Sequence, residues 1–410
     1  MGGAKGSKIL ITTHSKLVAA VSGTNSLYPL KGLSNEESWS LFKQMAFKEG
    51  IEPENPCLVE IGKEIVEKCV GVPLAIRVLG SLLYSRDTVK EWLIFKDKNM
   101  TKIAQEENAI LPILRLSYDH LPWYLKQCFA FCCLYPKDHV INKQQLIQLW
   151  MANGFIQLSD KNQDMEDVGD SYFMNLLRRS FFQDDLTDEF GSTISCKMHD
   201  LMHDLAQSTA ASESSMVNLD ANDVSTRTRH VSFDVSFDSS LCTEFSLKIP
   251  NPLLGAVKVR TFFLPAAIQS PLLKLEESVF ETIVSTFKRL RVLDMHALGV
   301  MTVPSCISEL RHLRYLDLSN NHRIVTLPNS ITNLQNLQTL KICDCPFFNQ
   351  LPRDIRKLVS LRHLEIDGGS HLNDMPRGMG QLTCLRTLNQ FIVGPFNRLS
   401  ELKNLNTFKG

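Results

Sequence analysis

The chain has 410 residues, 44% of them apolar, and its 44 Lys and Arg balance 44 Asp and Glu. That is enough apolar material for two to four units with cores of their own, and a net charge of zero excludes a global pull toward nucleic acid or an anionic membrane. Eleven cysteines without a regular framework read as reduced, mostly buried thiols of a cytoplasmic protein. No signal peptide opens the chain, no stretch of about 18 apolar residues spans a membrane, and Gly6 stands where a myristoylation motif wants Ser or Thr.

Lys8-Ile9-Leu10-Ile11-Thr12-Thr13 is a short apolar, β-branched run, expected as a buried parallel strand. Ser34-x-x-Glu37 is a capping box opening a helix with Trp39, Leu41, Phe42 and Met45 on its apolar face. Two helical phrases run from Val59 to Leu83 around Gly71-Val72-Pro73-Leu74, where Pro73 ends the first or starts the second. Asn142-x-x-Gln145 caps a helix carrying Leu146, Ile147, Leu149 and Trp150, and Gly154 ends it. A further helix is expected over Asp170 to Phe182, with Tyr172, Phe173, Leu176 and Leu177 inward, followed by a strand at Ser195-Cys196-Lys197-Met198. This succession has the order of a winged helix.

The last third repeats. Leu290, Leu313, Leu337, Leu361 and Leu385 are separated by 23, 24, 24 and 24 residues, and Pro304, Pro328, Pro352 and Pro376 recur in a second register of 24. Leu313-x-x-Leu316-x-Leu318-x-x-Asn321 fits the leucine-rich-repeat template, and Leu337-x-x-Leu340-x-Ile342-x-x-Cys345 fits it with the permitted Cys. Each turn of such a solenoid gives one strand to a parallel sheet and stacks its leucines on its neighbours. Alternation then turns Arg314, Tyr315, Asp317, Gln338, Thr339, Lys341, Arg362, His363, Glu365, Arg386 and Asn389 outward, as a protein-recognition surface or a solvated face. Arg229 to Phe233 and Val259 to Leu264 read as degenerate early repeats, and the array reaches Gly410 without an evident cap.

Five phrases together resemble the nucleotide-binding module of plant NLR disease-resistance proteins of the coiled-coil subclass. They are Lys8 to Ser15, Tyr28-Pro29-Leu30 to Phe47, Gly71-Val72-Pro73-Leu74-Ala75, Leu121 to Asp138, and Met198-His199-Asp200. The resemblance implies a multidomain α/β plus α fold. Residues 1–50 would be the C-terminal remnant of a P-loop-type nucleotide-binding domain, 51–110 a helical domain, 111–215 a winged helix and 216–410 the repeats. It implies an intracellular immune receptor, a switch rather than an enzyme, whose bound ADP holds it closed until exchange for ATP. Pro73 would then pack on the adenine and His199 reach the phosphate. The repeats would recognise a pathogen effector or a guarded host protein, with self-association on opening.

The sequence also departs from that pattern. The phosphate-cradling G-x-x-x-x-G-K-[ST] phrase is missing, and Gly62-Lys63 is followed by Glu64. That loop and the acidic magnesium-holding strand belong upstream of Met1, so the chain is expected to begin inside a domain. His14 stands where the sensor arginine belongs, and a neutral imidazole is a poorer partner for a γ-phosphate. Weak or absent nucleotide binding and no ATPase activity are therefore expected of this chain by itself. The alternative reading is a passive leucine-rich-repeat binding module without a switch. His199-Asp200-x-x-His203 has the spacing of a zinc-protease helix but lacks the glutamate and a third ligand. Cys343-x-Cys345 and the group Cys128, Cys132 and Cys133 read as core thiols rather than metal ligands. The helix Asn142 to Asn153 carries one lysine, too little charge for a DNA-recognition helix.

Overall fold

The computed structural model describes residues 10–13, 16–21, 28–50, 55–84, 86, 88–100, 110–160, 163–217, 224–233, 245–246, 249–265, 273–367, 372, 374–394 and 399–405. The chain forms two compact units, Met1–Ile113 and Leu114–Gly410.

The first unit is helical: α1 (Lys16–Val21), α2 (Asn35–Ala46), α3 (Pro56–Glu67), α4 (Pro73–Leu83) and α5 (Val89–Phe95). Ser34 and Glu37 form the expected capping box on α2, Asn55 caps α3 ahead of Pro56, and Thr88 with Glu91 caps α5. Pro73 is the first residue of α4, where its missing N–H and fixed φ cost nothing. Gly71 must be glycine. Its φ is +71°, and a Cβ there would lie 2.5 Å from the Leu33 carbonyl oxygen, whose own N–H donates to Gly71 O at 2.8 Å. Gly80 lets α4 close on α2, since a Cβ would lie 2.6 Å from that of Met45. Phe47 stacks on Trp92, and Phe42 meets both rings edge-on. The strand expected at Lys8 to Thr13 is not formed where the structure describes it. Residues 10–13 are irregular and exposed, with Leu10 92% accessible. Among the described residues of this unit there is no strand to pair with, and a parallel strand buries its faces only inside a sheet.

The second unit begins with α6 (Ile110–Asp119, which carries the chain across the boundary), α7 (Trp123–Phe131), α8 (Lys143–Asn153) and α9 (Met165–Arg178). The hairpin β2 (Gln183–Thr187) and β3 (Thr193–Lys197) follows, and α10 (Asp200–Ala210) closes the domain. β3 pairs antiparallel with β2 on one side and with β1 (Ile141–Asn142) on the other, the sheet of a winged helix. Asn142 Oδ1 accepts the Gln145 N–H, and Gly154 ends α8 at φ +79°, as the sequence predicts. The helix expected from Asp170 begins earlier, at Met165, with Glu166 and Asp167 in its first turn, and it ends at Arg178.

The repeats are one eight-stranded sheet in the order β13-β12-β11-β10-β9-β7-β5-β4, parallel throughout. Its strands are β4 (Ser214–Val217), β5 (His230–Phe233), β7 (Thr261–Phe263), β9 (Val292–Asp294), β10 (Tyr315–Asp317), β11 (Thr339–Lys341), β12 (His363–Glu365) and β13 (Thr387–Leu388). Two helices, α11 (Asn251–Leu254) and α12 (Glu277–Thr286), and a small pair, β6 (Phe245–Ser246) with β8 (Leu273–Lys274), interrupt the early repeats. The degenerate repeats read at 229–233 and 259–264 are true members of the sheet, and β4 adds a strand the sequence did not advertise. After Pro304 and Pro328 the chain turns into short 3₁₀ helices, and the leucines behind them are wholly buried. Asn321 ties successive turns together: its Nδ2 donates to the Met295 and Leu318 carbonyls and its Oδ1 accepts the Val300 N–H. Cys345 takes the same place one turn later and donates its thiol to Leu318 O.

Candidate functional site: the winged helix on the repeat sheet

Of the eleven strand residues expected to face outward, only Asn389 is exposed, while Tyr315, Asp317, Thr339 and His363 are buried. They do point away from the leucine core, but the face they form is not solvated, because α8 and α9 lie across it.

The residue before each strand of this sheet from β5 to β13 forms a column. Arg260 N donates to Arg229 O, Arg291 N to Arg260 O, Arg314 N to Arg291 O, Gln338 N to Arg314 O, Arg362 N to Gln338 O and Arg386 N to Arg362 O. Six of these seven residues are arginine. The winged helix meets this rail with the two parts of a helix pair that attract cations. The C-terminus of α8, the negative end of its dipole, lies against Arg291 and Arg314: Arg291 donates to Asn153 O, and a Cβ on Gly154 would be 3.4 and 3.5 Å from the two guanidinium Nη1 atoms. Acidic residues at the start of α9 take the other end. Arg362 Nε and Nη2 donate to Glu166 Oε1 and Oε2 at 2.7 and 2.6 Å, and Arg386 pairs with Asp164. His363 Nε2 lies 3.1 Å from Glu166 Oε1. Burial works against the Glu166 charge, yet the His363 and Arg362 hydrogen bonds prevail and hold its carboxyl well below the usual range.

A second row crosses the sheet at Asp294, Asp317, Lys341 and Glu365, which stand in register on neighbouring strands. Lys341 pairs with Glu365 at 3.0 Å, and Gln148 Nε2 of α8 donates to Glu365 at 2.8 Å. Asp317 is pushed up by burial and by Asp294, and it accepts from the Tyr315 hydroxyl at 3.1 Å. His296 sits 2.7 Å from Asp294; burial alone would lower its pKa, but the carboxylate raises it to about 9.

The residues assigned to the nucleotide are placed as follows. Pro73 is exposed at the start of α4 in the first unit. His199 is half-buried as the N-cap of α10 in the second, its Nδ1 accepting the Leu201 N–H at 3.1 Å, so a neutral ring carries its proton on Nε2. An apolar ring and an imidazole donor each suit part of an adenine nucleotide, but the glycine-lysine loop that would cradle its phosphates is not in the sequence. His14 lies outside the described residues.

The zinc-protease alternative is set aside by geometry: His203 turns into the core, its Nε2 2.7 Å from the Tyr135 carbonyl oxygen. Among the described residues no three His, Cys, Asp or Glu side chains cluster to hold a metal. Cys128 and Cys132 are fully buried, and burial pushes their thiols well up. The face of α8 that would enter a DNA groove is covered by the repeat sheet. Sequence reading missed the rail and its acidic partners, although arginine does stand directly after the anchor leucine at Leu290, Leu313, Leu361 and Leu385.

Comparison with known proteins agrees with this architecture. Residues 134–206 match the family described as the disease resistance protein winged helix domain, and residues 273–409 match a leucine-rich repeat region. The putative disease resistance protein RGA1 of Solanum bulbocastanum is 40% identical over 323 residues, covering 78% of this chain and 29% of that protein. Disease resistance protein RGA2 of the same species is 47% identical over 218 residues, covering 53% and 22%, and the putative disease resistance RPP13-like protein 1 of Arabidopsis thaliana is 35% identical over 324, covering 77% and 29%. The chain thus spans less than a third of the length of each of these relatives. A Listeria monocytogenes internalin structure aligns with 45% of this chain and 46% of its own, at 21% identity and a TM-score of 0.33. Among the described residues no helix is long and apolar enough to cross a membrane.

Proposed function

The chain belongs to the plant disease-resistance protein family, carrying its winged helix and its leucine-rich repeats, and on that premise we propose that it is the relay segment of a cytoplasmic immune receptor. In this reading the repeats recognise a pathogen effector or a guarded host protein, and the winged helix reports that event to a nucleotide-gated module. ADP favours the closed form and ATP the open one, and the chain performs no catalysis of its own. Pro73 and His199 are the residues assigned to adenine and phosphate; His14 replaces the sensor arginine.

The observation that carries the reading is the clamp of Arg362 and Arg386 on Glu166 and Asp164. It joins the recognition surface to the domain that bears His199, so a partner that competes for the inner sheet face must loosen the winged helix. A passive binding module would leave that face open.

The test is transient leaf expression of the full-length gene product. Glu166→Arg is expected to cause cell death without a pathogen, and adding Arg362→Glu, which restores the attraction with reversed signs, is expected to silence it. Equal silence of the parent and both variants, at equal protein levels, overturns the relay.

A further inference from the structure

We propose that a cavity between the winged helix and the first repeats binds a small, multiply phosphorylated ligand. The cavity measures about 650 Å³, within the range that small-molecule sites occupy. Lys126 of α7 reaches it from the winged helix, Arg227 and Arg229 from the approach to β5, and Lys258 and Arg260 from the approach to β7. Glu213 is the one carboxylate among its described lining residues, and it is already committed to Arg229 at 3.1 Å.

Arg260 marks the site. Along the arginine rail, Arg229 has Glu213, Arg291 donates to the end of α8 with Arg314 lying beside it, Arg362 has Glu166 and Arg386 has Asp164. The Arg260 guanidinium has no hydrogen-bonding partner among the described residues, although burial and the neighbouring Arg291 and Arg229 charges disfavour it. Adjacent strands lie about 4.8 Å apart, so the rail sets these cations side by side. Lys258 and Arg227 add charge at the rim, where both are exposed.

A single carboxylate leaves most of this charge unmet. Two or more phosphates would meet it, because guanidinium forks match phosphate oxygens in pairs. The lining comes from both sides of the winged-helix and repeat contact, so the ligand would fasten the two together. His199 does not line this cavity, and the inference is independent of any nucleotide switch.

The probe is inorganic tripolyphosphate, titrated calorimetrically into the whole chain. Saturable binding is expected, with a higher melting temperature and an affinity that falls steeply with salt. Arg260→Gln together with Lys258→Gln is expected to weaken it by tenfold or more. Lys258→Gln, at an exposed position, gives the same direction should the double variant fail to fold. Phosphatidylcholine vesicles with and without a polyphosphoinositide identify the source. Co-sedimentation that Arg260→Gln abolishes assigns a lipid headgroup, and tripolyphosphate binding without it assigns a free metabolite. No binding at millimolar tripolyphosphate, or binding that the double and Lys258→Gln variants retain in full, overturns the proposal.

Discussion

Arg362 and Glu166, 196 residues apart, meet through two parallel hydrogen bonds of 2.7 and 2.6 Å, with side-chain exposures of 14% and 19%. A forked pair this sheltered is worth far more than a surface ion pair, because removing one member strands the other out of water. Glu166→Gln is expected to lower the stability of the second unit by about 3 kcal/mol, the low end for such a loss. A double-mutant cycle with Arg362→Gln in urea is expected to show coupling of at least ~1.5 kcal/mol. Additive single effects would mean that the pair does not hold the winged helix.

Asn321 makes its hydrogen bonds inside the solenoid, where water cannot replace them. Asn321→Ala leaves the Met295 carbonyl and the Val300 N–H short of a partner and the Leu318 carbonyl with only the Cys345 thiol, with an expected loss of about 2–4 kcal/mol. Asn321→Cys, the solution used one turn later at Cys345, is expected to recover part of it. Chemical denaturation of the two variants orders them, and a cysteine variant no better than alanine would refute the equivalence.

Two histidines bound the pH range. The folded pKa of His296 stands above its ordinary 6.5, at about 9, so its stabilising effect is complete below pH 6.5 and fades as pH rises through 9. The full swing is on the order of 3 kcal/mol. His230 is the reverse case: burial, then the Arg260, Arg229 and Arg291 charges, lower it to about 3, so its neutral ring favours the fold above pH 6.5 and opposes it as pH falls. Melting temperatures are expected to decline on both sides of neutrality. His296→Asn should flatten the alkaline limb alone and His230→Gln the acid limb alone; an unchanged slope in either variant refutes that assignment.

Gly71→Ala tests the first unit. A positive φ disfavours alanine by roughly 1–2 kcal/mol, and the Leu33 carbonyl adds a clash. Hydrogen exchange is expected to quicken in α2 and α4, while the repeat strands keep their protection. Unchanged exchange at Leu33 and in α4 would show that the turn tolerates a side chain.

The solenoid was open to reading because its period repeats: each anchor leucine from Leu313 to Leu385 is where the 24-residue register puts it. Helix ends carried by one local interaction, such as Asn142 to Gln145 or Ser34 to Glu37, were legible for the same reason. The burial of Tyr315 and His363 was not, since alternation says which way a side chain points and not what covers it. Glu166 lies before the helix expected from Asp170, and only the folded chain puts it in a first turn and brings it to Arg362. The strand expected near Leu10 shows the converse, for a β-branched run needs neighbours that local sequence does not supply.

The rail fixes a count. Arg291 and Arg362 are held by opposite ends of one helix pair, and the strands between them are spaced by the sheet itself. Inserting or deleting a single repeat between Leu313 and Leu361 would leave the leucine stacking intact but move the far arginines by about 4.8 Å, out of reach of Glu166 and Asp164. Copies can be gained and lost freely beyond Arg386, whereas the stretch before it is a ruler whose length is set by the domain lying on it.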